Sequence, residues 1–224
     1  MVSLIETLKQ NSYPGRGIVI GREDGQHIRI FYFIMGRSEN SRNRIFAYTE
    51  DGIRTEAREP EKMKDPSLVI YHPVRLCEND YIVTNGDQTD TIRDFLLSGR
   101  SFRDALMTRS FEPDPPIFTP RISGIVHRGG SFELSILKSA DGDGSFTRRC
   151  FFHYDAVPLG TGMFISTYQC NGNPPPSFAG EPICVDLPEA DEVWEALNAE
   201  NKVALYTCLL DAENFDANEN LYNQ

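Results

Sequence analysis

Three arginines, Arg37, Arg42 and Arg44, fall within eight positions of the stretch IMGRSENSRNRIF, residues 34–46. A guanidinium presents a planar fork of donors that fits a carboxylate or a phosphate. A phosphate monoester offers close to two charges and three acceptor oxygens, so a pair of arginines suits it. Gly36, Ser38 and Asn40 favour an irregular turn at the end of a strand, where functional groups are commonly presented. The plainer reading is a solvated hairpin whose arginines pair with Glu39 and Glu50.

Four further places carry chemistry. NGDQTDT, residues 85–91, ends a strand and starts a helix, with Asn85 and Gly86 turning the chain and Thr89 or Asp90 capping. The free N–H groups of a first helical turn can bind an anion, although an ordinary capped turn has the same pattern. With a single glycine it is not a Walker-type loop. Glu112, in SFEPDPP, suits a general acid or base where it is partly buried, and a surface acid where it is not. Arg121 opens a strand after Pro120, as an anion ligand or a salt-bridge partner. Ser166 and Tyr168, in FISTYQ, share one strand face, which also suits a core tyrosine with a satisfied hydroxyl. His27, His72, His127 and His153 lack metal-ligand spacing and no CxxC pair occurs, so no metal is expected. GxSxG and GxGxxG are absent. The residues alone point to a site for a small anionic molecule.

The elements that must position these groups follow from periodicity. Residues 2–10 suit a short amphipathic helix. RGIVIGR (16–22) and HIRIFYFIM (27–35) read as a hairpin turning at EDGQ. In the second strand Ile28, Ile30, Tyr32 and Ile34 fill one face while Phe31, Phe33 and Met35 fill the other. A strand apolar on both faces is covered on both faces. NRIFAYT and IRTEAR form another hairpin, and SLVIYHPVRL and DYIVTNG read as strands. Two helices follow, TDTIRDFLLSG ending on Gly99 and SFRDALMTRSF with Ser101 as N-cap. RISGIVH, SFELSILK, FTRRCFFHY and GMFISTYQ resume as strands. Residues 171–182 read as an irregular loop, PEADEVWEALNA as a helix, KVALYTCLLD as a last strand. The pattern describes an α+β chain with two stacked sheets and helices outside. Its divisions are an extension (1–12), one domain (13–212) and a loose polar tail (213–224).

Composition sets the outer bounds. The chain has 224 residues, enough for one domain with a sizeable core. Its net charge of −11 disfavours nucleic acid and anionic membranes as partners. Against that acidity, 17 of the 22 basic residues are arginine. No run of 18 apolar residues and no signal-peptide pattern is present, so a cytoplasmic protein is expected. The odd number of cysteines argues against a disulfide framework.

YPGRGIVIGR, SENSRNRIF, VTNGDQTDTI, TPRI and ISTY, occurring in that order from Tyr13 to Tyr168, resemble the IMP cyclohydrolase family, in its archaeal form and bacterial relatives. The resemblance implies a four-layer αββα sandwich of mainly antiparallel sheets, like that of N-terminal nucleophile hydrolases. It implies closure of the purine ring of 5-formamidoimidazole-4-carboxamide ribonucleotide to IMP, in purine biosynthesis, without a cofactor. It also implies residue roles. Arg37, Arg42 and Arg44 hold phosphate or other substrate charge, and Asn43 orients the same group. Asn85, placed in the catalytic set, and Asp90 hold the carboxamide or ribose. Tyr71 donates to the base or formyl oxygen, Arg121 and Tyr168 line the pocket, and Glu112 moves the proton. A homo-oligomer is compatible with this reading.

The chain departs from the archaeal pattern at Asp87-Gln88, where Ser-His is expected, and at Gln169, where Glu is expected. Those departures keep open a purine-nucleotide-binding protein without activity. A second alternative is an amide hydrolase whose nucleophile is Ser12 freed at its amine.

Overall fold

The computed structural model describes residues 1–140 and 142–224. Helix α1 (Leu4–Gln10) leads into β1 (Arg16–Arg22) and β2 (His27–Met35), then α2 (Glu39–Arg42). β3 (Arg44–Thr49), β4 (Gly52–Ala57), β5 (Val74–Cys77) and β6 (Asp80–Thr84) precede α3 (Gln88–Leu97) and α4 (Phe102–Met107). β7 (Arg121–His127), β8 (Phe132–Ala140), β9 (Asp143–Tyr154), β10 (Thr161–Ser166) and β11 (Ile183–Asp186) follow. The chain continues through α5 (Ala190–Ala196), β12 (Lys202–Asp211) and β13 (Ala217–Asn223).

Two antiparallel sheets result, in the orders β11-β10-β1-β2-β12-β13 and β3-β4-β5-β6-β7-β8-β9. The doubly apolar β2 explains the layering. Ile28, Ile30, Tyr32 and Ile34 face the other sheet, packing with Phe46, Val74, Val83, Ile122 and Ile136. On the opposite face Phe31, Phe33 and Met35 pack with Leu4 and Leu8 of α1 and Val193 and Ala196 of α5. The second sheet's outer face is covered in the same way, with Ile82 and Ile125 under Ile92 of α3 and Phe102, Ala105 and Leu106 of α4. The order is therefore helices, sheet, sheet, helices. Ser101 caps α4 in a reciprocal box with Asp104, which satisfies two otherwise free N–H groups.

Four stretches differ from the sequence reading. SLVIYHPVRL contributes only its last three residues to a strand, as the start of Val74–Cys77, because Pro73 interrupts the ladder. Tyr71 is nonetheless held to β4: its N–H donates to Thr55 Oγ1 at 2.9 Å and its C=O accepts the Thr55 N–H at 2.9 Å. The stretch at 38–42 is a one-turn helix, with Ser38 and Ser41 making a capping box. Ile183–Asp186 is a short edge strand beside β10. Residues 217–223, expected in a loose tail, pair with β12 along their whole length. Their polar side chains disguise a strand whose backbone does the pairing. Asn223 also reaches across to the other sheet, accepting the Phe46 N–H at 2.7 Å and donating to the Phe46 C=O at 3.1 Å.

Candidate active site

A pocket of about 330 Å³ opens where β1, the segment after β10 and the loop from Glu112 to Thr119 meet. Gly15 places its first wall. It takes φ +79°, and a Cβ there would lie 2.3 Å from Thr167 Oγ1 and 2.5 Å from the Tyr168 ring. Only glycine allows that approach. The next residue, Arg16, is consequently pressed beside Tyr168, its N–H donating to Thr167 Oγ1 at 3.1 Å. Tyr13 stacks on Tyr168 with ring centroids 5.7 Å apart, and the Arg37 guanidinium covers Tyr13 at 4.6 Å. Arg37 is fixed there by donating to Asn171 Oδ1 at 2.9 Å and Gly172 O at 2.6 Å.

The loop carrying Glu112 is tied to the same wall. The Glu112 N–H donates to Thr119 O at 2.9 Å, and the Thr119 hydroxyl lies 2.8 Å from the Tyr168 hydroxyl. Asp114 accepts both the N–H and the hydroxyl of Thr119, at 2.7 and 2.5 Å. These bonds turn a proline-rich loop into a rigid support. Glu112 itself is 2% exposed.

Behind the pocket, Arg44 is 0% exposed. Its Nε donates to Ser41 O at 2.7 Å, while Nη1 and Nη2 have no partner. Arg16 Nε is likewise buried and unpartnered. Buried donors left unpaired are costly, and such strain concentrates at functional sites. The Tyr71 hydroxyl lies 2.8 Å from that of Tyr32. The charges of this group act on one another. Burial lowers the Arg44 proton affinity, and the Arg16 charge lowers it further against the nearby tyrosines. For Arg16 burial acts the same way, but Glu112 and the tyrosines outweigh it and raise the affinity. Burial pushes Glu112 up to about 7 against the pull of Arg16, Arg121 and Arg44, with Asp114 adding to the rise. Burial also pushes Tyr168 up to about 12. A carboxyl that titrates near neutrality can both take and return a proton.

Gly86 is the second required glycine. A Cβ there would lie 2.5 Å from Arg121 Nη1, 2.6 Å from Gln88 Oε1 and 3.6 Å from Glu112 Oε1. Arg121 Nη1 donates to Gln88 Oε1 at 2.7 Å and contacts Asp87 Oδ1 at 2.6 Å. The strand-to-helix turn therefore delivers its side chains to Arg121 and brings its bare Cα close to Glu112.

Of the residues singled out from the sequence, Arg37, Glu112 and Tyr168 line the pocket, and Arg44, Tyr71 and Arg121 stand behind it among the charges acting on Arg16 and Glu112. The others lie apart. Asn85 is buried with its side chain committed: Nδ2 donates to Pro120 O at 2.8 Å, and Oδ1 accepts from Ile122 N at 2.8 Å and Gln88 Nε2 at 3.1 Å. Its amide shapes the turn, and Asn85 is not among the residues that line the pocket. Asp90 faces away, paired to Arg75 at 2.8 Å and His72 at 3.7 Å. Arg42 and Asn43 line a separate depression with Arg58, Glu59 and Lys62. Asn43 there stitches the chain to Glu59, donating to its C=O and accepting its N–H at 2.8 Å each. Ser166 is buried and donates to Tyr168 O at 3.0 Å. Arg16 was not singled out. Its signal was a charge at the head of RGIVIGR, a strand otherwise too apolar to face water.

Residues 13–214 match the family model described as IMP cyclohydrolase-like protein. The IMP cyclohydrolase of Methanopyrus kandleri is 30% identical over 183 residues, which cover 74% of this chain and 89% of that protein. The IMP cyclohydrolase of Methanococcus aeolicus is 26% identical over 164 residues, covering 70% and 75%. That of Methanosphaera stadtmanae is 28% identical over 165 residues, covering 71% and 75%. No helix among the described residues is long and apolar enough to cross a membrane.

Proposed function

The chain belongs to the IMP cyclohydrolase-like family, and from that premise we propose that it closes the ring of 5-formamidoimidazole-4-carboxamide ribonucleotide to give IMP and water. The observation that carries the reading to particular atoms is the buried Glu112 carboxyl, titrating near 7 among Arg16, Arg44 and Arg121.

The reaction makes three demands. The carboxamide nitrogen must meet the formyl carbon within one molecule, and an amide is a poor nucleophile, so orientation matters. The formyl oxygen gains negative charge as the bond forms and needs donors. One proton must leave the carboxamide nitrogen, and the former formyl oxygen must depart as water.

Each demand has residues suited to it. The 5′-phosphate sits at the mouth, on Arg37 and the Ser38 and Ser41 hydroxyls, which all line the pocket. Its binding energy fixes the distant reacting end. The imidazole ring lies against the stacked Tyr13 and Tyr168. The developing oxyanion lies toward Arg16, which lines the pocket, with the buried Arg44 charge behind it and the Tyr71 hydroxyl as a further donor. Glu112 starts as carboxylate, takes the proton from the carboxamide nitrogen as it attacks, and returns it to the oxygen that leaves. A second proton, lost from the former formamido nitrogen as it forms the C=N bond of the new ring, completes the water.

The test is an absorbance assay of the purified protein with the formamido ribonucleotide, beside Arg44→Ala. Loss of substrate with appearance of IMP, much weakened in the variant, supports the reading. Saturable IMP binding without turnover would instead indicate a nucleotide-binding protein.

A further inference from the structure

Asp87 stands at the N-terminal end of α3 but does not cap it, for its side chain makes no hydrogen bond to the helix backbone. Its carboxylate instead joins two arginines from other elements. Oδ1 lies 2.6 Å from Arg121 Nη1, and Oδ2 accepts from Arg109 Nη2 at 2.6 Å. Arg121 Nη1 is therefore shared between Asp87 and the Gln88 side chain. Gln88 is fixed in that orientation, because its Nε2 donates to Asn85 Oδ1, Ile122 O and Ser123 Oγ. A Cβ at Gly86 would lie 2.5 Å from Arg121 Nη1 and 3.6 Å from Glu112 Oε1, yet Nη1 makes its bonds to Gln88 and Asp87 and none to Glu112.

We propose that Asp87 is a positioning residue for the reaction, holding the Arg121 guanidinium off the Glu112 carboxylate and offsetting its charge. The inference rests on Glu112 being the proton-transfer group of the reaction proposed above.

The charged and titratable groups facing Glu112 come from several elements. Arg16 stands at the head of β1, Arg44 at the head of β3, Arg121 at the head of β7, Asp114 on its own loop and Tyr168 just past β10. Three cations against one nearby anion would drive an ordinary carboxyl far down. Burial resists them, and so does any anion that occupies one of the three. Asp87 is the carboxylate that engages Arg121 directly. It is itself held below the usual carboxylate range, since Arg109 and Arg121 outweigh its partial burial. It thus stays charged wherever Glu112 titrates.

The sign of each perturbation follows. Asp87→Asn removes an anion and frees Arg121 toward Glu112, so the Glu112 carboxyl should titrate lower, by roughly one pH unit for a screened charge at this range. Arg109→Gln removes a cation and leaves Asp87 wholly to Arg121, so the shift should be smaller and upward. Asp87→Glu keeps the charge and should stay near the parent. A merely structural role for Asp87 would not produce shifts of opposite sign.

The experiment reads the Glu112 carboxyl in the ligand-free protein by ¹³C NMR of labelled glutamate, assigned by its absence in Glu112→Gln. The acid limb of kcat/KM against pH is measured on the same proteins. Asp87→Asn moving both downward and Arg109→Gln moving both upward would support the proposal. A folded Asp87→Asn with an unmoved carboxyl would overturn it, whatever its activity. If the carboxyl moves as expected but even the parent protein does not turn over the ribonucleotide, the functional reading fails and the Asp87–Arg121 relationship to Glu112 stands.

Discussion

The hydroxyls of Tyr32 and Tyr71 meet at 2.8 Å and join the two sheets beside the buried arginines. Tyr32 comes from β2 of one sheet, and Tyr71 is pinned to Thr55 of the other. Tyr32 is fully buried, so its hydroxyl depends on this partner. Tyr71→Phe should cost about 1–3 kcal/mol of stability by leaving that hydroxyl unpaired. It should also lower kcat by about 10- to 100-fold through loss of a donor to the oxyanion. Tyr32→Phe should cost less activity than Tyr71→Phe at similar stability. Urea unfolding and steady-state kinetics on the two variants separate these effects, and equal losses of kcat would deny Tyr71 a direct role.

Arg44 offers the sharpest opposition of stability and activity. Its buried charge has two nitrogens without partners. Replacing a poorly compensated buried charge by an apolar side chain of similar length is commonly neutral or stabilising. Arg44→Met should therefore unfold at the same or higher urea concentration than the parent, despite losing the bond to Ser41. Its kcat/KM should fall by about 10²-fold or more. A variant both unstable and active would contradict both halves.

Glu112 titrates at about 7 in the folded protein against an ordinary value of 4.5. The folded state therefore holds its proton more tightly than the unfolded chain. The stability this contributes is complete below about pH 4.5 and is lost as pH rises through about 7. The full difference is about 3 kcal/mol, with the carboxyl buried from solvent. Glu112→Gln, which cannot ionise, should gain on the parent by that order between pH 4.5 and 8. Denaturant titrations at the two ends of that range measure it, and parallel curves would mean that Glu112 titrates normally.

His127 loses stability in the same direction of pH, but it does so away from the pocket and through its charged rather than its neutral form. It sits at the far end of β7 from Arg121, 2.6 Å from Asp80 and 3.5 Å from Glu133. The Asp80 hydrogen bond chiefly, then Glu133, raise it to about 9. Its stabilisation is complete below about pH 6.5 and is lost as pH rises through about 9. Partial exposure limits this to about 1 kcal/mol. The imidazole should remain protonated through pH 8 by NMR, and His127→Gln should leave kcat/KM unchanged. An imidazole titrating near 6.5 would remove the argument.

Gly86→Ala should damage activity more than stability. The new methyl would press on Arg121 Nη1 and Gln88 Oε1, 2.5 and 2.6 Å from its carbon, with Glu112 Oε1 just beyond. Flexible side-chain ends can yield, so the fold survives while the charges around Glu112 move. An unaltered pH profile in this variant would show that the turn does not govern the carboxyl.

The layered fold was legible because β2 is apolar on both faces, and such a strand requires cover on both. The α4 cap was legible because Ser101 opens a stretch of helical spacing just after Gly99; the return bond from Asp104 emerged only in the structure. β13 was not legible: ANENLYN carries residues that disfavour strands, and its pairing is a backbone property. In the site, Arg44 and Glu112 stood out by type, but nothing in their neighbours announced that both would be buried. The turn at 85–91 was recognised as a place, yet its two aspartates could not be told apart. Asp87, just before α3, and Asp90 in its first turn are three positions apart, and only the packing of β5 and β7 sends one to Arg121 and the other to Arg75. Arg16 looked like an ordinary strand head until the fold left its Nε without a partner.

Asn223 clasps the backbone of Phe46 by both its N–H and its C=O, across 177 positions of sequence. Phe46 lies two residues after Arg44 on β3, an outer strand of its sheet with only β4 beside it. In a chain made from its N-terminus, Arg44 leaves the ribosome long before the residue that braces its strand. The nascent protein can carry every pocket residue up to Tyr168 and still lack that brace. Ligand affinity should consequently appear late in synthesis, once Asn223 has emerged and β13 has docked, and ribosome-bound chains stalled before β13 should bind nucleotide weakly.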